Sequence, residues 1–209
     1  MLHKETVAPS TLELLVRLQK EQLLASFNLV GGTSLSLRLG HRKSVDLDLF
    51  SPDEFDVEDL RDMLVQKYDF KLAYLHGRTI KGFIGDVMVD CIRYNYPHLH
   101  KPEEIDGIRM ESLQDVAAMK LSAVSQNGSR IKDFIDIATL SSRFSLNEML
   151  NFYTSKFSGA NALIPIKSMT YFDDIDFSES VVMTTGVFDW NAIANRLFEM
   201  VESPDRVFA

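Results

Sequence analysis

Between positions 45 and 50 apolar and acidic residues alternate without a break, with Val45, Leu47 and Leu49 set against Asp46 and Asp48. A period of two belongs to a β-strand whose faces meet different surroundings. The spacing therefore predicts a strand with one face on a core and two carboxylates leaving the other, roughly 6–7 Å apart. Such carboxylates repel and raise each other's proton affinity unless a cation lies between them. Hard oxygen ligands of this kind suit magnesium or manganese. A solvated acidic strand is the plainer reading of a lone Asp-x-Asp, and the pair alone favours it.

The residues just upstream bear on that choice. Residues 27–30 form a short apolar run ended by Gly31-Gly32, which reads as a buried strand entering a tight turn. Leu35, Leu37 and Leu39 then fall in a short helix closed by Gly40. A glycine turn between strand and helix lets backbone approach a phosphate closely, and the free amides of a helix N-terminus attract anions. Thr33 and Ser34 add hydroxyl groups, either of which could serve. The same residues could equally cap a helix after a tight turn. A phosphate cradle followed by paired carboxylates is more specific than either piece.

Along the rest of the chain, helical spacing is expected over 11–24, with Ser10 or Thr11 as N-cap, and over 56–67. Strands are expected over 70–74 and 79–84, with a turn near His76-Gly77. A further strand over 86–92 places Asp86, Met88 and Asp90 on one face and Val87, Val89 and Cys91 on the other. After Pro102 the pattern turns helical, with helices over 113–124, 132–140, 146–157 and 190–200, and an acidic, irregular stretch over 169–187. The fold class is α+β: a mixed sheet flanked by helices over 1–105, and a helical C-terminal half over 106–209.

Composition narrows the function classes. The chain of 209 residues carries a net charge of −8, which argues against a surface that grips nucleic acid all over, although a local basic cleft is compatible with it. No apolar run approaches the roughly 20 residues needed to span a bilayer, and the first residues lack the apolar segment of a secretory signal. A single cysteine, Cys91, excludes an intrachain disulfide and a thiolate cluster, which fits a reduced, cytoplasmic setting.

With Gly31-Gly32-Thr33-Ser34 followed by Val45-Asp46-Leu47-Asp48-Leu49-Phe50, the sequence resembles the AbiEii/AbiGii toxin family. That family belongs to the DNA polymerase β-type nucleotidyltransferases, whose mark is Gly-Ser or Gly-Thr ahead of Asp-x-Asp. The likeness continues in Val89-Asp90-Cys91-Ile92 with Tyr96-Pro97, in Met119-Lys120-Leu121-Ser122-Ala123 and in Lys132-Asp133-Phe134-Ile135-Asp136-Ile137. Met169-Thr170-Tyr171-Phe172-Asp173-Asp174 is similar to a family segment as well.

The resemblance implies a nucleotidyltransferase fold whose C-terminal region completes the active-site cleft. It implies that Asp46, Asp48 and Asp90 hold Mg2+ or Mn2+, with Asp90 also deprotonating the attacking hydroxyl. Gly31, Gly32 and Thr33 or Ser34 would bind the triphosphate of an NTP, and Lys120 would lie at its phosphates. One of Asp133 and Asp136 would match the last acidic motif, Asp136 in preference.

By the same resemblance the chain would be the toxin of a bacterial type IV toxin–antitoxin or phage-defence pair, with tRNA as acceptor and a cognate antitoxin as partner. Competing readings are transfer to a small molecule, as aminoglycoside nucleotidyltransferases do, transfer to a protein hydroxyl, and a non-catalytic nucleotide-binding module. Among lesser candidates, Arg38, His41 and Arg42 could meet a phosphate or a salt-bridge partner. Tyr74, Tyr94 and Tyr96 could stack on a base or pack in the core, and Trp190 reads as a core residue.

Overall fold

The computed structural model describes residues 1–208 and divides into two compact units. The first comprises Met1–Pro97 and Lys101–Glu111, the second His98–His100 and the chain from Ser112 onward.

In the first unit, α1 (Pro9–Leu18) has Pro9 at its first position and Ala8 as N-cap, two and three positions ahead of the expected caps Ser10 and Thr11. Proline is pre-set for that place, because its φ is helical and its missing N–H would have no helical partner. The helix also stops short of residue 24: the chain bends after Leu18 and makes a 3-10 turn over Gln22–Leu24. The buried Gln19 explains the stop. Its side-chain amide donates to the Arg109 carbonyl (2.7 Å) and its Oε1 accepts from the Arg109 N–H (2.9 Å), which ties the helix end to a strand.

Then come β1 (Asn28–Leu29), α2 (Gly31–Leu39), β2 (Leu47–Ser51) and α3 (Val57–Tyr68), the last capped by the Asp56 carboxylate. The sheet is completed by β3 (Lys71–His76), β4 (Thr79–Ile84), β5 (Val87–Arg93), β6 (Glu103–Ile105) and β7 (Ile108–Met110). Its seven strands run in the order β3-β4-β5-β2-β1-β7-β6. The pairs β2–β5 and β1–β7 are parallel and the others antiparallel, so the sheet is mixed as expected. Leu47, Leu49, Val89 and Cys91 enter one core with Phe27, Leu29, Leu37, Leu60 and Leu64. Leu47, Leu49, Val89 and Cys91 belong to the apolar halves of the two alternating patterns.

Two expectations are corrected here. Val45 does not begin β2: it is 58% exposed, and the strand starts at Leu47. The preceding segment is held elsewhere, because Ser44 N–H donates to the Thr6 carbonyl (3.0 Å) and the Thr33 hydroxyl bonds to both Ser44 and the Asp46 carbonyl. The chain after Pro102 is not helical at once either. It first makes the β6–β7 hairpin around Asp106-Gly107, both at positive φ (53° and 79°), a turn chemistry that Asp-Gly favours.

The second unit contains α4 (Leu113–Gln126), α5 (Ile131–Leu140), α6 (Leu146–Lys156), α7 (Leu163–Ser168) and α8 (Trp190–Glu202). Four of these match the expected helices, and the short α7 was not anticipated. Ser145 and Glu148 form a reciprocal capping box at the start of α6. Trp190, expected in the core, is half-buried instead and packs edge-on against Phe172 (5.1 Å), Phe177 (5.3 Å) and Phe134 (6.1 Å). No described helix is long and apolar enough to cross a membrane.

Candidate active site

The glycine turn between β1 and α2 is built so that backbone can be approached. Gly31 has a φ of +67°, in the left-handed region that L side chains disfavour. A Cβ there would stand 2.1 Å from Asp48 Oδ2, and a Cβ on Gly32 would stand 2.3 Å from Arg42 Nη2. A carboxylate thus lies against one glycine and a guanidinium against the next. The carboxylate sits at the N-terminal end of α2, where the helix dipole favours negative charge.

Neither hydroxyl of the turn faces solvent. Thr33 is buried, and its Oγ1 bonds to Ser44 Oγ (2.8 Å) and to the carbonyl of Asp46, which fixes the segment leading into β2. Ser34 is fully buried, and its Oγ has no hydrogen-bond partner. What α2 offers outward is therefore the backbone N–H groups of its first turn, which an α-helix leaves without internal acceptors.

The carboxylates come next. In the parallel pair β2–β5 the Cα of Asp48 is in register with that of Asp90. The Val30 N–H donates to the Asp48 carbonyl (2.9 Å), so Asp48 is also next to the glycine turn. Asp46 occupies the segment immediately before β2 and is half-buried, as Asp48 is. Asp90 is only 3% exposed; its Oδ1 is buried without a hydrogen-bond partner, and its Oδ2 is paired with Lys81 Nζ. Cys91 enters the opposite, apolar side, where burial, aided by the charge of Asp90, pushes its thiol up to about 12.

Lys81 was not anticipated. It lies in register with Asp90 on the antiparallel pair β4–β5, so Lys81, Asp90 and Asp48 form one row across three strands. The only sequence signal was a cation inside an expected strand, and strand register is a tertiary fact that alternation does not contain.

Within the second unit the remaining candidates come together. Lys120 Nζ on α4 lies 2.6 Å from Asp133 Oδ1 and 2.7 Å from Asp136 Oδ2 on α5, and all three residues are buried. Arg130 Nε adds a longer contact (3.8 Å) to Asp133 Oδ2. Both carboxylates left open by the sequence thus meet the same lysine.

A second buried group went unnoticed in the sequence. Asp115 accepts from Lys156 Nζ (2.6 Å), Ser112 Oγ (2.6 Å) and the backbone N–H groups of Leu99 (3.0 Å) and His100 (3.1 Å). Burial alone would push its carboxyl up, but the bonds from Lys156, Ser112 and Leu99 outweigh this and hold it below the usual carboxylate value. Its sequence signal was the Ser112-x-x-Asp115 spacing of a helix start.

Of the lesser candidates, Arg38 is engaged with Glu103 (2.9 Å) and the Glu111 carbonyl (2.7 Å). Tyr94 packs between Phe50 (5.3 Å) and the exposed Tyr96 (4.8 Å).

The family described as "Nucleotidyl transferase AbiEii toxin, Type IV TA system" matches residues 13–97 and 82–208. A protein of Aquifex aeolicus, aq_aa25, is 32% identical over 154 residues, covering 71% of this chain and 74% of its own. Among solved structures, MenT4, a nucleotidyltransferase toxin of Mycobacterium tuberculosis, aligns with a TM-score of 0.61 over 90% of this chain and 78% of its own, at 16% identity. JHP933 of Helicobacter pylori aligns with a TM-score of 0.57 over 95% and 93%, also at 16% identity. At such identities these likenesses speak to the fold, which is that of nucleotidyltransferases.

Proposed function

The chain belongs to the nucleotidyl transferase AbiEii toxin family and is a nucleotidyltransferase, and we propose that it moves a nucleotidyl group from an NTP to a terminal hydroxyl of tRNA. The observation that carries the chemistry is the register of Asp48 with Asp90 beside a glycine turn that Asp48 itself touches.

In nucleotidyl transfer the acceptor oxygen bonds to the α-phosphorus while the bond to pyrophosphate breaks, so negative charge develops on both oxygens. The donor set suits a divalent metal: carboxylate oxygens only, one of them, Asp90 Oδ1, buried without a hydrogen-bond partner. In our reading Asp46, Asp48 and Asp90 hold Mg2+ or Mn2+. When bound, such ions stabilise the charge on the attacking and leaving oxygens. Asp90 also takes the proton of the attacking hydroxyl. The N–H groups of Gly32 and its neighbours at the start of α2 bind the triphosphate, and Arg42 adds positive charge at the same turn. Thr33 serves by fixing the Asp46 segment. Lys120 is the group that the family resemblance assigns to the nucleotide phosphates, and Asp133 and Asp136, one of them the match to the last acidic motif, hold its ammonium. A toxin role with a cognate antitoxin, in defence against phage, is the biological counterpart of this activity.

Incubation with α-labelled NTPs, Mg2+ and, separately, tRNA, total protein or aminoglycoside tests the proposal. Label should enter tRNA and chase into no other acceptor. Label confined to protein or antibiotic would overturn the acceptor, and equal labelling with excess chelator would overturn the metal. Asp48→Ala should abolish transfer and cell toxicity while the protein still folds, as a thermal melt of the variant would show.

A further inference from the structure

A buried carboxylate beside a second carboxylate requires a counter-charge, because a desolvated anion with no cationic partner is strongly disfavoured. At Asp90 that counter-charge comes from the protein: Lys81 Nζ is paired with Oδ2 across the β4–β5 ladder, while Oδ1 has no hydrogen-bond partner. Lys81 is 38% exposed and Asp90 4% at the side chain, so the ammonium reaches in from solvent onto an anion that solvent does not reach. On its other side Asp90 is in register with Asp48. One cation therefore already occupies the carboxylate cluster before any metal ion arrives.

We propose that Lys81 is a positioning residue and a resident counter-ion of this cluster. It holds the Asp90 carboxylate through Oδ2 and leaves Oδ1 without a hydrogen-bond partner, and it lowers the affinity of the nucleotide-free protein for divalent cations, so that the cation enters together with the charge of the triphosphate. This inference rests on reading Asp48 and Asp90 as cation-holding groups.

The two roles that Lys81 could have predict opposite signs. Were it only a structural strut, its loss would loosen Asp90 and weaken cation binding. As a counter-ion, its loss removes a positive charge from the carboxylate that would hold the incoming cation, which should tighten binding about tenfold.

Mn2+ titrated into nucleotide-free protein, followed by calorimetry or by the loss of the free-ion resonance signal, reads this directly. Lys81→Met should bind Mn2+ about tenfold more tightly than wild type and show a larger rise in melting temperature on adding Mn2+. Lys81→Gln keeps a neutral donor to Asp90 and should behave the same way if the methionine variant folds poorly. Lys81→Arg should match wild type. Unchanged or weaker Mn2+ binding in the neutral variants would overturn the proposal. Asp48→Asn and Asp90→Asn tell the two levels apart: if they lose Mn2+ binding while the Lys81 variants are silent, only the counter-ion role fails. If they bind Mn2+ like wild type, the reading of the site fails and Lys81's role with it.

Discussion

At Gly31 a single methyl group would undo most of the candidate site. The residue has a φ of +67°, and an added Cβ would meet Asp48 Oδ2 at 2.1 Å. Gly31→Ala thus combines left-handed strain, costing about 1–2 kcal/mol, with displacement of a carboxylate. Misplacing a catalytic group by about 1 Å costs roughly a hundredfold in rate, so transfer should fall at least that far while the protein still folds, as circular dichroism melts beside labelling kinetics would show. Gly32→Ala should be milder: its Cβ would meet the far end of the Arg42 side chain, which can move, and φ is not left-handed there. Asp48 and Asp90 were legible because each belongs to an alternating pattern whose apolar half had to enter a core. Lys81 was not, since its meaning depends on which strand it faces.

Among elements, the helices α4, α5, α6 and α8 were read most completely, because each shows one apolar face over several turns. The β6–β7 hairpin was missed although Asp106-Gly107 is a strong turn signal; its strands, Glu103–Ile105 and Ile108–Met110, are too short for alternation to register. Residue 45 fitted the period of β2, yet Thr33 and Ser44 hold its segment away from the sheet, a tertiary effect that pattern does not carry. The pair α4 and α5 supports a prediction of its own. Lys120 is buried against both Asp133 and Asp136, so Lys120→Met leaves two buried carboxylates without their lysine. Breaking a buried pair from one side costs about 3–5 kcal/mol. Urea unfolding should show a loss of that order. A fully stable Lys120→Met variant would show that the ammonium contributes little to holding α4 and α5 together.

On the scale of the whole molecule, the net charge of −8 gives a protein rich in carboxylates, most of them exposed and of small consequence for stability. Asp115 is different: it is fully buried and collects bonds from Lys156, Ser112, Leu99 and His100. Its folded-state value is depressed, so the unfolded chain takes up a proton first, at about pH 3.9. The stabilisation from this group is therefore complete above that pH and lost as pH falls through the folded-state value. The loss is limited to about 1.4 kcal/mol for each pH unit separating the two values. Asp115→Asn should lower stability near pH 7 by about 3–5 kcal/mol, because Lys156 then stays buried without its anion. The same variant should show a flatter decline than wild type between about pH 5 and 3, because the titrating group is gone. Urea melts of both proteins at several pH values separate the two effects. A variant that declines as steeply as wild type would assign acid sensitivity to other carboxylates. Glu21, also depressed, through hydrogen bonds from Lys67 and Tyr68, is the next to test.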